Sequence, residues 1–200
     1  MTYRAAHPHG PATPRRPFAP LLALLALAGL VAALELAAPA SASASACKYK
    51  RMRPSHGTEY RASRAVACLI NRRRRRHGLA PLRLRKPIRR AAHRHSRYMT
   101  RQNCFSHQCY GEPSLATRIA STGYFKGANS WGCGETIDWG KYRRGTPIRI
   151  VKRWMHSSEH RAIMLSGRWE TFGVGVVWGS PAGRSKHAGT YTADFAYRSG

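Results

Sequence analysis

Three short segments hold the residue types most able to do chemistry: Cys104-Phe105-Ser106-His107, Trp131-Gly132-Cys133-Gly134-Glu135 and His160-Arg161-Ala162-Ile163-Met164-Leu165. Two imidazoles and a carboxylate gathered in one cleft form a three-donor set for a divalent metal, zinc first among them, with a coordination position left open. Neutral imidazole is a good borderline ligand, and a carboxylate balances the charge of the ion. The same groups can instead act as an acid–base pair. They can also hydrogen-bond one another as a polar knot between loop and helix, with no turnover. His107, Glu135 and His160 are therefore the expected cleft and metal residues.

The order and separation of these segments resemble the site of the CAP superfamily, the secreted proteins also called SCP-like. The resemblance runs from about Ala65 to Tyr197. Phe105-Ser106-His107 is similar to the family's first-histidine motif, and Gly134-Glu135 to its Gly-Glu-Asn motif, with Thr136 where Asn is expected. Glu159-His160 is similar to its Gly-His motif, with Glu159 in place of the glycine. Trp154, Ser157, His160, Arg161 and Leu165 resemble a bacterial sub-pattern, and Gly173-Val174-Gly175-Val176 the family's first long strand. The family's second glutamate falls at Ser157, so the resemblance implies a cleft of His107, Glu135, His160 and Ser157 that lacks one anionic donor. It also implies an α+β fold, an α-β-α sandwich with a small antiparallel sheet between helices, and links to lipid and sterol binding and to surface interactions.

The elements that must position these residues are visible in the periodicity. Ala62, Val66, Leu69 and Ile70 recur at helical spacing from Thr58, and Gly78 supplies a stop. Ile88, Ala91, Ala92, His95, Tyr98 and Met99 form the stripe of a second helix. His95 lies inside that stripe and is expected as a hydrogen-bonded core histidine, not a ligand. Glu112-Pro113-Ser114 opens a short helix that ends at Gly123, and Gly127 to Gly140 is expected as a structured loop. Thr146-Pro147 starts a third long helix, Pro being favoured in the first turn, with Trp154 in its core face. Continuing that helix through His160 would put Ser157 on the histidine's face. Phe172 to Trp178 and Thr190 to Tyr197 read as two strands of a hairpin. Asp138 is expected in a turn and Asp194 on a strand face. Helices first and a hairpin last make an α+β layered domain.

Residues 1–46 are expected to be a signal peptide, 47–58 a lead-in, and 59–200 the CAP/SCP-like domain. Arg4, Arg15 and Arg16 precede an uncharged run from Leu21 to Leu34, and Ala40 to Ala46 offers small-residue cleavage sites. Pro20 and Glu35 bracket a run shorter than the roughly 20 residues of a membrane span. The leader holds three of the 35 basic residues and one of the 8 acidic ones, so residues 47–200 carry a net +25. Such a field attracts polyanions, which makes anionic envelope polymers candidate partners beside a small-molecule or lipid ligand. The run Arg72 to Arg76 also fits a merely solvated helix face. No nucleic-acid motif or aromatic platform accompanies the charge, so nucleic acid is not an expected partner. Export favours disulfides: Cys47 with Cys68, and Cys104 with Cys109 around His107, leaving Cys133. The alternative is a zinc site of Cys104, His107, Cys109 and Cys133. Three functions follow: an extracellular binding module with a metal or small-ligand cleft, a hydrolase using metal-bound water, and a cationic protein acting on envelope polyanions.

Overall fold

The computed structural model describes residues 47–183, 185 and 187–200; the expected leader at 1–46 lies outside them. Two helices come first, α1 (Glu59–Arg76) and α2 (Lys86–Gln102), separated by a two-residue strand β1 (Arg83–Leu84). Then follow α3 (Leu115–Ala120), β2 (Ser130–Lys141), a 3-10 turn Tyr142–Gly145, α4 (Pro147–His156), α5 (Ser158–Leu165), β3 (Thr171–Trp178) and β4 (Ala188–Ser199). The sheet order is β1-β3-β4-β2; β3 and β2 each pair antiparallel to β4, and β1 adds a short parallel edge on β3. Among the described residues, no helix is long and apolar enough to cross a membrane.

Strand alternation divides the core into two layers. Phe172, Val174 and Val176 of β3 and Tyr191, Ala193 and Phe195 of β4 face the layer of α1, α4 and α5, where Val66, Ile70, Ile150, Trp154 and Met164 are buried. The opposite face meets α2 and α3. There Gly173 and Gly175 carry no side chain because the α2 backbone at Ile88–His93 occupies the space a Cβ would fill. The α-β-α sandwich expected from the resemblance is this arrangement.

Three sequence expectations need correction. The stretch expected as a loop over Gly127 to Gly140 contains the long edge strand β2. Its glycines are not loop signals: a Cβ on Gly132 would strike the Tyr197 ring, and one on Gly134 would come within 2.9 Å of Trp169. The third helix is not continuous. Ser157 adopts extended dihedrals (φ −87°, ψ 127°), and its hydroxyl accepts the His160 N–H, so it ends α4 and caps α5. Serine is favoured at such caps because it competes with the helical backbone for hydrogen bonds. Finally, the arginine run is not wholly solvated. Arg74 is 2% exposed and donates to the carbonyls of Ala80, Met164 and Ser166, tying α1 to the end of α5.

Candidate functional site

The site forms at edge strand β2, against which α3 and α5 pack. Asn103 ends α2 in the left-handed conformation (φ 49°), and the chain turns into a loop closed by the Cys104–Cys109 disulfide. His107 sits in that loop. Its Nδ1 lies 2.8 Å from Glu135 Oε1, while the ring is 56% exposed.

Glu135 is buried on β2, opposite Asp194 of β4. Its other oxygen accepts a 2.6 Å bond from Arg118 Nη2 of α3. Arg118 is itself buried and donates from Nη1 to the His107 and Pro113 carbonyls, so one guanidinium holds both the carboxylate and the loop around the histidine. His95 of α2 completes the interior. It is fully buried, its Nδ1 lies 2.8 Å from Glu112 Oε1, and its Nε2 stands 3.7 Å from Glu135 Oε1. The expected core histidine is thus hydrogen-bonded, and it belongs to the same network as the cleft.

The electrostatics follow from burial and neighbours. Burial pushes the Glu135 carboxyl up, but His107, His95, Arg118 and Asp194 together outweigh it and hold the group below its usual range. Asp194 goes the other way. Burial, then the charge of Glu135 and a hydrogen bond to it, raises it well above an ordinary carboxyl. No N–H or hydroxyl donor reaches either Asp194 oxygen; a proton on Asp194 turns two facing carboxylates into a hydrogen-bonded pair. The Cys133 thiol is driven to about 11 by burial and by Asp194 and Glu135, so it stays protonated and unreactive.

His160 projects from the first turn of α5, in the opposite helical layer, and is half-buried. Burial depresses its pKa and the nearby His107 adds to the effect, while Asp138 and Glu159 oppose it. Of the expected cleft residues, Glu135 is in direct contact with His107. Ser157 directs its hydroxyl to the α5 backbone. Asp138, expected in a turn, lies within β2 and receives Arg153 Nε at 2.8 Å on Oδ2, although burial lifts its carboxyl above the usual range. Cys104 and Cys109 are joined, as are Cys47 and Cys68, which removes two of the three thiols the alternative cysteine–zinc site requires and leaves Cys133 alone. Among the described residues, no group of three or more His, Cys, Asp or Glu side chains is arranged to hold a metal.

Arg118, Glu112 and Asp194 are the members of the network that sequence reasoning missed. Leu115, Arg118 and Ile119 fall on one helical face, so an arginine among apolar neighbours was a usable sign of burial. Thr192, Asp194 and Ala196 likewise share one strand face.

Comparison with known proteins agrees with this architecture. The family model described as "CAP: Cysteine-rich secretory protein family" matches residues 68–193. The uncharacterized protein YkwD of Bacillus subtilis is 32% identical over 126 residues, which are 62% of this chain and 45% of that protein. The chain thus spans less than half the length of this relative. Among solved structures, an extracellular SCP-domain protein of Bacillus anthracis superposes with a TM-score of 0.55 at 24% identity, covering 68% of this chain and 40% of the other. An outer surface protein of Borrelia burgdorferi gives 0.58 at 15% identity, covering 74% and 99%. At these identities the structural likeness concerns the fold.

Proposed function

The chain belongs to the cysteine-rich secretory protein (CAP) family, and from that premise we propose that it is an extracellular binding module whose cleft takes a divalent metal, zinc first, between His107 and His160. The observation that carries this reading is the Glu135–His107 contact. A carboxylate on one ring nitrogen fixes the tautomer and orientation of an imidazole and leaves the other nitrogen as a donor, the arrangement typical of metal-binding histidines. His107 Nε2 and His160 would hold the ion, with the remaining positions left to water or a small ligand. When bound, the ion supplies Lewis acidity.

Glu135 enters this reading as the group that orients His107, not as the third ligand of the sequence expectation, because both oxygens are engaged. The same engagement favours binding over hydrolysis: Glu135 is a fixed carboxylate between Arg118 and His107, not a base free to take a proton from water. The disulfides and the leader-like composition of residues 1–46 support an extracellular location.

Calorimetric zinc titration tests the proposal. The parent should bind one ion, His107→Ala and His160→Ala should each abolish binding, and Glu135→Gln should weaken it by about 10- to 100-fold. A parent that takes up no zinc, or zinc uptake unchanged in both histidine variants, overturns it.

A further inference from the structure

A second concave surface lies on the outer face of α4. Arg149, Lys152, Arg153 and His156 occupy positions i, i+3, i+4 and i+7, one side of the helix, while Ile150, Val151 and Trp154 face the core. Arg143 and Arg144 of the 3-10 turn close the other wall of a hollow of about 560 Å³. A second hollow of about 540 Å³ adjoins it through Arg144 and Arg153 and continues along β2.

Residues 141–156 contain no Asp or Glu. Solvated helix faces ordinarily mix charges, because like charges at i, i+3 and i+4 destabilise a helix. Among the described residues the one ion pair here joins Arg153 to Asp138; Arg143, Arg144, Arg149, Lys152 and His156 have none. Arg153 serves the structure, donating also to the Arg144 and Trp139 carbonyls. The wall carrying Arg143 and Arg144 is rigid as well. A Cβ on Gly140 would come within 2.8 Å of the Arg144 backbone, and the Tyr191 hydroxyl donates to the Gly145 carbonyl at 2.6 Å. Arg143, Arg144, Arg149 and Lys152 are thus held on a preformed scaffold with no ion-pair partner among the described residues, the one carboxylate of the groove, Asp138, being taken by Arg153.

We propose that this groove binds a chain polyanion whose charges are phosphate groups, engaged by Arg144, Arg149 and Lys152. Arginine's planar fork matches phosphate oxygens in pairs, and lysine adds a point charge. A chain fits better than a single ion because the stripe from Arg149 to His156 extends about 10 Å along the helix at ~1.5 Å per residue. Trp139 and the His156 imidazole are the aromatic rings lining the two hollows, one in each, which is too few for a platform of stacked bases. The groove shares no lining residue with His107, Glu135 or His160, and the proposal does not rest on metal binding.

The test uses inorganic polyphosphate as the probe, titrated at several salt concentrations. Binding should weaken with salt, and the triple variant Arg144→Ala/Arg149→Ala/Lys152→Ala should bind about tenfold more weakly, the effect of three exposed charge contacts. A charge-matched control, Arg75→Ala/Arg76→Ala/Arg90→Ala, and the cleft variant His107→Ala should each stay close to the parent. Arg149→Glu provides an independent reduction if the triple variant folds poorly. Equal losses in the two triple variants would show diffuse charge and overturn the proposal. So would polyglutamate binding as tightly as polyphosphate, orthophosphate or anionic vesicles binding as tightly as the chain, or a preference for single-stranded DNA.

Discussion

Replacing Arg118 with methionine tests whether the cleft is held by a buried charge balance. The guanidinium is 2.6 Å from Glu135 and 3.7 Å from Glu112, and all three side chains are at most 5% exposed. Methionine keeps much of the volume but leaves two interior carboxylates without a guanidinium, with His95 beside both and His107 beside Glu135. Removing one partner of such a buried pair costs about 3–5 kcal/mol, because the charge left behind is uncompensated. For a domain of this size that corresponds to a fall of about 6–20 °C in Tm. The carbonyls of His107 and Pro113 also lose their donor, so zinc affinity should drop with stability. Urea denaturation of Arg118→Met, Glu135→Gln and the double variant decides the matter. Neutralising Glu135 removes part of the orphaned charge, so the double variant should be more stable than the sum of the singles by about 1–3 kcal/mol. A single-variant cost below about 1 kcal/mol, or strict additivity, would refute the reasoning.

Asp194→Asn should change how stability depends on pH. The folded pKa of Asp194 is raised by burial and by Glu135, so its contribution is fully present below its unfolded value of about 3.9 and is lost as pH rises towards the folded value, by about 1.4 kcal/mol per pH unit. Asparagine does not ionise in either state, so the variant should gain on the parent as pH rises from about 4; denaturation series that stay parallel from about pH 4 to about pH 7 would contradict a protonated Asp194. Ser157→Ala should cost about 1 kcal/mol through loss of the α5 cap and leave zinc titration unchanged. An unchanged thermal midpoint would show that the break between α4 and α5 does not depend on the hydroxyl.

Much of the framework was legible in the sequence because it is written in local periodicity. The stripes of α1 and α2, Pro147 in the first turn of α4, the alternation in β3 and β4, and the spacing of the cysteines each record which face an element turns inward. Those signals need only neighbouring residues. The ordered segments at His107, Glu135 and His160 also identified the family.

What tertiary structure alone decided is where backbone and charge meet across long separations. The glycines of β2 read as a loop because the reason for them, the rings of Tyr197 and Trp169, lies in other elements. Ser157 broke a helix that periodicity carried through, since a cap is a competition between two hydrogen-bonding states of the same residue. Arg118, Glu112, His95, Glu135 and Asp194 come from α2, α3, β2, β4 and a loop, and none of them declares its partner locally. A buried ion is tolerable only where the complete set of counter-charges and donors assembles, and that set exists only once the sheet and both helical layers have closed around it.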